Sequence, residues 1–212
     1  MMRSILKEET AVELQHINVK VLLENPAELD LDAMVNVFHS WIQDQVCEEL
    51  LLDVADYRHV HNGPGIVLIG HEADYAIDST DGRRGIRYNR KALITGSDQD
   101  RLTQAVRAAL AASQRLQQDT RLNGKCNFNA QDIEIVINDR QLAPNIQETR
   151  QGVEPELRSF FNALFGQVSY TLEFEASPRR LFGVRVRSEQ PLTVADLLET
   201  LGQRPSPSYD VI

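Results

Sequence analysis

Between His16 and Glu24 the chain reads HINVKVLLE, and apolar Ile17, Val19, Val21 and Leu23 alternate with polar Asn18 and Lys20. Successive side chains of an extended strand leave by opposite faces, so this spacing fits a strand with one buried face. Such a strand needs an apolar layer on one side only, and amphipathic helices supply one further along. Asp30 is placed to cap a helix whose stripe is Leu31, Met34, Val35, Phe38, Trp41, Ile42 and Val46. Ser97 and Asp100 open a second helix with an acidic variant of the capping box. Glu154-Pro155 starts a third, where proline is tolerated, and Gly166 ends it. Thr193 with Asp196 caps a fourth that Gly202 stops.

Between the helices lie further strands. LLLDVA (50–55) is apolar on both faces except at Asp53 and reads as an interior strand, as does IVLIG (66–70). ADYAID and GIRYNR pair around an Asp81-Gly82 turn, with Asp74 and Asp78 on the polar face opposite Arg87. SYTLEFE and LFGVRVRS pair around Ser177-Pro178, setting Glu173 and Glu175 against Arg185 and Arg187. The expected fold is α+β: a mixed, largely antiparallel sheet with helices on one face. The polar, aperiodic stretch Asp119–Asp132 divides it into lobes 1–122 and 123–212. The first has a polar lead-in (1–14) and an extra hairpin (73–91); the second ends in a loose tail (203–212). Each half reads strand, helix, strands, helix, and each opens a strand on a double arginine, at Arg83 and at Arg179. A duplicated β-α-β-β-α unit is the corresponding expectation.

Composition narrows the function. The chain of 212 residues is 42% hydrophobic and 25% charged, the make-up of a folded protein, with a net charge of -9. That charge argues against nucleic acid or an anionic membrane as partner. No apolar run approaches a membrane span, and two cysteines without CxxC spacing form no disulfide framework. A cytoplasmic location is expected.

Chemistry-bearing residues concentrate in DVADYRHVHNGPGIVLIGHEADY, Asp53 to Tyr75. His59 and His61, two apart, leave an extended chain by one face, the spacing of an HxH metal pair; His71 or Asp53 completes a zinc or iron site if the corner folds them together. Asp53 stands among leucines and valine, so a buried carboxylate there needs a hydrogen-bonding partner. NGPG matches no phosphate-binding loop and reads as a turn. RRGIRYNRK, Arg83 to Lys91, has five cations and no anion. With Arg87 matched across the hairpin, Arg83, Arg84, Arg90 and Lys91 remain for an anion.

The segments VFHSWIQ, LLLDVADYRHV, GPGIVLIGHEADYAID and GRRGIRYNRK resemble those of a group of uncharacterised bacterial proteins of similar length. The resemblance implies a bacterial, cytoplasmic origin and carries over no catalytic residue. The expectation is a non-enzymatic binding or assembly protein without a cofactor, a homo-oligomer. It would present Tyr57 and Arg83, Arg84, Arg90 and Lys91 to a small anionic ligand or a protein partner. The alternative is a metal-dependent hydrolase or oxygenase with zinc or iron on His59, His61 and His71, and Asp53 as ligand or base.

Overall fold

The computed structural model describes residues 12–61 and 63–203. In chain order the elements are β1 (Ile17–Leu23), α1 (Leu31–Asp44), β2 (Leu51–Asp56), β3 (Ile66–Gly70), β4 (Ala73–Asp78) and β5 (Gly85–Arg90). There follow α2 (Asp98–Gln118), β6 (Phe128–Ile137), α3 (Gln147–Phe165), β7 (Tyr170–Phe174), β8 (Gly183–Ser188) and α4 (Val194–Gly202). The expected lead-in (1–14) and tail (203–212) lie almost wholly outside the described residues. Among those residues no helix is long and apolar enough to cross a membrane.

The eight strands form one sheet in the order β2-β3-β4-β5-β1-β6-β8-β7. Every neighbouring pair is antiparallel, so the α+β expectation holds and the sheet has no parallel part. In β1 the alternation becomes a physical partition. Ile17, Val19 and Val21 are buried in the main apolar cluster, together with Ile86 and Tyr88 of β5 and Ile133, Ile135 and Ile137 of β6. Over that face lie all four helices. Trp41 of α1 meets Tyr75 of β4 edge-on, and Gln104 of α2 donates to Tyr88. Phe161 and Phe165 of α3 pack on Tyr170 at the far edge of the sheet, and α4 packs on β6. Small side chains at Ala105, Ala109 and Ala112 are buried along α2, the helix that crosses β1 and β5 at the centre. Each fully buried Leu, Ile or Phe contributes about 1.5–3 kcal/mol.

The caps follow the sequence. Asp30 accepts from the Asp32 and Ala33 amides, and both Ser97–Asp100 and Thr193–Asp196 close reciprocal capping boxes. Gly166 ends α3 at a φ of 63°. Helix α3 departs at its other end, beginning at Gln147 with Pro155 inside it rather than at its start. Proline removes one internal hydrogen bond, and burial of Thr149 and Val153 on the extra turns offsets that loss.

Two further corrections concern strands. LLLDVA is no interior strand: β2 is an edge, paired only with β3, with a register shift between Leu51 and Asp53. Leu50 and Leu52 therefore face solvent, 53% and 52% exposed. An apolar run marks burial on both faces only when a layer covers each of them, and here the helices cover one face alone. The division at 119–132 likewise separates no sheets, because β1 and β6, from opposite halves, pair along the middle of one. Strand order within the halves does correspond. β1 pairs with β5, the last strand of its half; β6 pairs with β8, the last of its own. β4–β5 stands beside β1 as β7–β8 stands beside β6.

Candidate functional site

The helix-free face of the sheet is not apolar. Directly opposed residues in an antiparallel sheet share a face, so the register defines rows of side chains across it. One row runs Ala76–Arg87–Lys20–Glu134–Arg185–Glu173 through β4, β5, β1, β6, β8 and β7. The next runs Asp74–Asn89–Asn18–Val136–Gly183. Most of the charges alternate. Glu134 binds Arg83, while Asp132 accepts from Arg185 Nε at 2.7 Å and from Arg83 Nη2 at 3.1 Å. Lys20 and Arg87 are the exception, two cations side by side. Asp78 resolves the conflict from the neighbouring row: Lys20 Nζ lies 2.7 Å from its Oδ2 and Arg87 Nη1 3.4 Å from its Oδ1, which also accepts from Thr80 Oγ1 at 2.7 Å. Lys20 and Asp78 are almost fully buried, at 4% and 1% side-chain exposure.

Over this centre lies a cavity of about 350 Å³. Its floor includes Asn18, Lys20, Asp78 and Arg87; Arg140, Arg179 and Arg180 stand among its walls. Five cations and four carboxylates (Asp78, Asp81, Glu134 and Glu175) line it, a positive balance within a chain of net charge -9. The carboxylates are all occupied. Arg180 binds Asp81 and reaches Glu175 at 3.2 Å, and its hydrogen bond holds the Asp81 carboxyl below the usual range. The cations are not. Among the described residues Arg140 and Arg179 have no carboxylate partner, and Arg140 donates to the Arg179 carbonyl, at 2.7 Å. Arg87 Nε is buried with no acceptor among them.

The residues expected from sequence scatter around this centre. Arg83 and Arg84 lead into β5, while Arg90 and Lys91 stand at its other end. Each already has a partner: Arg83 as above; Arg84 on Ser79 Oγ and the Pro26 carbonyl; Arg90 on the Ala92 carbonyl; Lys91 on Asp74 at 2.7 Å. Tyr57 is half-exposed, and it does share a smaller cavity, about 220 Å³, with Arg84 and Arg58. Arg58 there binds Asp32 and Asp56 and holds the Asp56 carboxyl at about 2.

His59 and His61 are exposed on the β2–β3 loop, and His71, beside Glu72, sits at the opposite end of β3. The three imidazoles are not brought together, and among the described residues no three His, Cys, Asp or Glu side chains are grouped for a metal. Asp53 is exposed on the edge strand, where it accepts from the amide of Val54 at 2.8 Å. The buried carboxylates among the described residues are Asp78, Asp132 and Glu49 instead. Lys20, Asn18, Asn89, Glu134 and Arg140 were not singled out by sequence. The alternation in β1 marks Asn18 and Lys20 as facing away from the core, but strand register alone sets them beside Asn89, Arg87 and Glu134.

The fold and face together define an antiparallel α+β protein with a charged, recessed open sheet. Compared with family models, curated proteins and solved structures, the chain matches none.

Proposed function

We propose that this is a non-enzymatic binding protein that holds a small anionic ligand in the cavity over Lys20 and Arg87. The observation that carries the reading is the buried Arg87 Nε without an acceptor, beneath Arg140 and Arg179, which no carboxylate among the described residues engages. A guanidinium in a recess binds a carboxylate or phosphate through several charge-assisted hydrogen bonds at once. Binding rather than catalysis is favoured because each carboxylate lining the recess is already held by a lysine or arginine. None is left to carry a proton to or from a ligand. Compared with the corner at Tyr57 and Arg84, this recess is larger and its cations are less matched.

The test is thermal unfolding with added inorganic phosphate, pyrophosphate and citrate. A ligand present at 100 times its Kd stabilises by about 2.7 kcal/mol. A raised melting temperature that disappears in Arg87→Ala with Arg179→Ala is the expected outcome. No shift with any of the three at millimolar concentration, and no heat on titration, would remove the reading.

A second association is supported by a separate observation. Leu50 and Leu52 are exposed at edge strand β2, and an open edge with apolar side chains is a template for another strand. The homo-oligomer expectation therefore takes a definite form, edge-to-edge pairing of two copies through β2. Light scattering above the 24.0 kDa of one chain, reverting in Leu52→Glu, is its expected signature; a single-chain mass at all concentrations would end it.

A further inference from the structure

Among the described residues four buried side-chain atoms lack a hydrogen-bond partner, and three of them lie together on the open face: Asn18 Oδ1, Asn89 Oδ1 and Arg87 Nε. Asn18 and Asn89 are direct cross-strand partners, as are Lys20 and Arg87 two residues along. The four form a square of two carboxamides beside two cations. Asn18 is 9% exposed and lines the cavity. Neither asparagine oxygen is answered from within the described chain. Asn89 Nδ2 makes one long contact, 3.5 Å, to Asp74.

Buried polar atoms are almost always satisfied, so this square describes what should fill it. Arg87 Nε asks for an acceptor. The two Oδ1 atoms ask for donors. A bare anion answers the arginine and leaves both amides empty. An ammonium donor would meet the like charges of Lys20 and Arg87, whereas a neutral hydroxyl meets no such repulsion. A cavity of about 350 Å³ is at the small end for ligand sites and suits a single ring or a short polyol. Resting on the anion-binding reading above, we infer that the ligand is a hydroxylated acid: one sugar-sized unit whose phosphate or carboxylate lies on Arg87 while a neighbouring hydroxyl donates to Asn18, the asparagine of the pair that lines the cavity.

Titration calorimetry on the full chain separates this inference from the reading beneath it. The probes are glucose 6-phosphate against inorganic phosphate, and gluconate against acetate. In at least one pair the hydroxylated member should bind about tenfold or more tighter, the worth of one or two added hydrogen bonds. The pair that shows the preference identifies the anionic group. Asn18→Ala should bring that pair within about twofold while leaving the bare anion's affinity in place, and Arg87→Ala should weaken both members. The wild-type comparison needs no variant to fold. If the bare anions bind as tightly as their hydroxylated counterparts, the donor inference fails and the anion site stands. If none of the four binds, both fall.

Discussion

Asp78 holds the open face together at the level of single atoms. It is the shared acceptor for Lys20, Arg87 and Thr80, and it lies within the sheet rather than at its rim. Removing one partner of a buried pair strands the other charge, at a cost of about 3–5 kcal/mol. Asp78→Asn is therefore expected to reduce the unfolding free energy by that amount in chemical denaturation, while Lys20→Met with Asp78→Leu should recover most of it. Equal losses in the single and double variants would contradict the account. The two thiols give a pH prediction. Burial pushes Cys47 up from 9.0 to about 11 and Cys126 to about 12. A raised folded value means that the fold favours the protonated thiol. This contribution is fully present below about 9 and is lost as pH rises through about 11 to 12. Burial moves the Tyr75 and Tyr88 phenols in the same direction. Unfolding midpoints followed from about pH 8 to 11.5 should fall, and a thiol reagent at the lower end should label both cysteines slowly until denaturant is added. Asp53 and Asp78 also show where sequence reading stops. Asp53 has leucines and valine beside it along the chain and is exposed; Asp78 precedes Ser-Thr-Asp-Gly and is buried. Burial of a strand residue depends on what pairs beside it, which the local sequence does not encode. The contact of Asp78 with Arg87 was legible, because a tight turn fixes that register.

Elements were most legible where a local interaction defines their ends. Ser97, Thr193 and Asp30 are caps in sequence and in structure because each bonds to an amide two or three residues on. Ser97→Ala should cost about 0.5–2 kcal/mol, measured by chemical denaturation. The start of α3 was missed for the opposite reason: burial of Thr149 and Val153, a tertiary effect, carries the helix through a proline that local rules place first. Strand packing contributes a different constraint at Gly85. A Cβ there would come within 2.2 Å of the Val21 carbonyl and 3.0 Å of Leu22 Cα, both backbone atoms of β1. Gly85→Ala must push β5 away from β1, beneath the proposed site. Crowding of this kind typically costs about 1–3 kcal/mol, so the variant should melt earlier and lose anion binding together. A fully stable Gly85→Ala protein would show that the two strands have room the packing does not suggest.

The whole molecule is organised about the seam between β1 and β6. Two halves with corresponding strand order meet there, each laying its first strand against the other's, under one continuous apolar cluster. Neither half keeps that cluster intact alone. Residues 1–122 and 123–212 expressed separately are expected to show no cooperative unfolding, and to regain it when mixed; two independent sharp transitions would restore the picture of autonomous lobes. The α+β class and the helices on one face were readable from periodicity, because each helix and strand declares its own apolar side. The recess was not, since its floor combines β1, β4 and β5 of one half with walls from β6 and β8 of the other. The two ends of the sheet are also unlike: leucines face water at β2, whereas β7 carries Glu173 and runs on to Glu175. If the β2 edge pairs as proposed and β7 does not, strand-to-strand growth terminates once two such margins have met, so crowding this protein should yield discrete pairs instead of fibres.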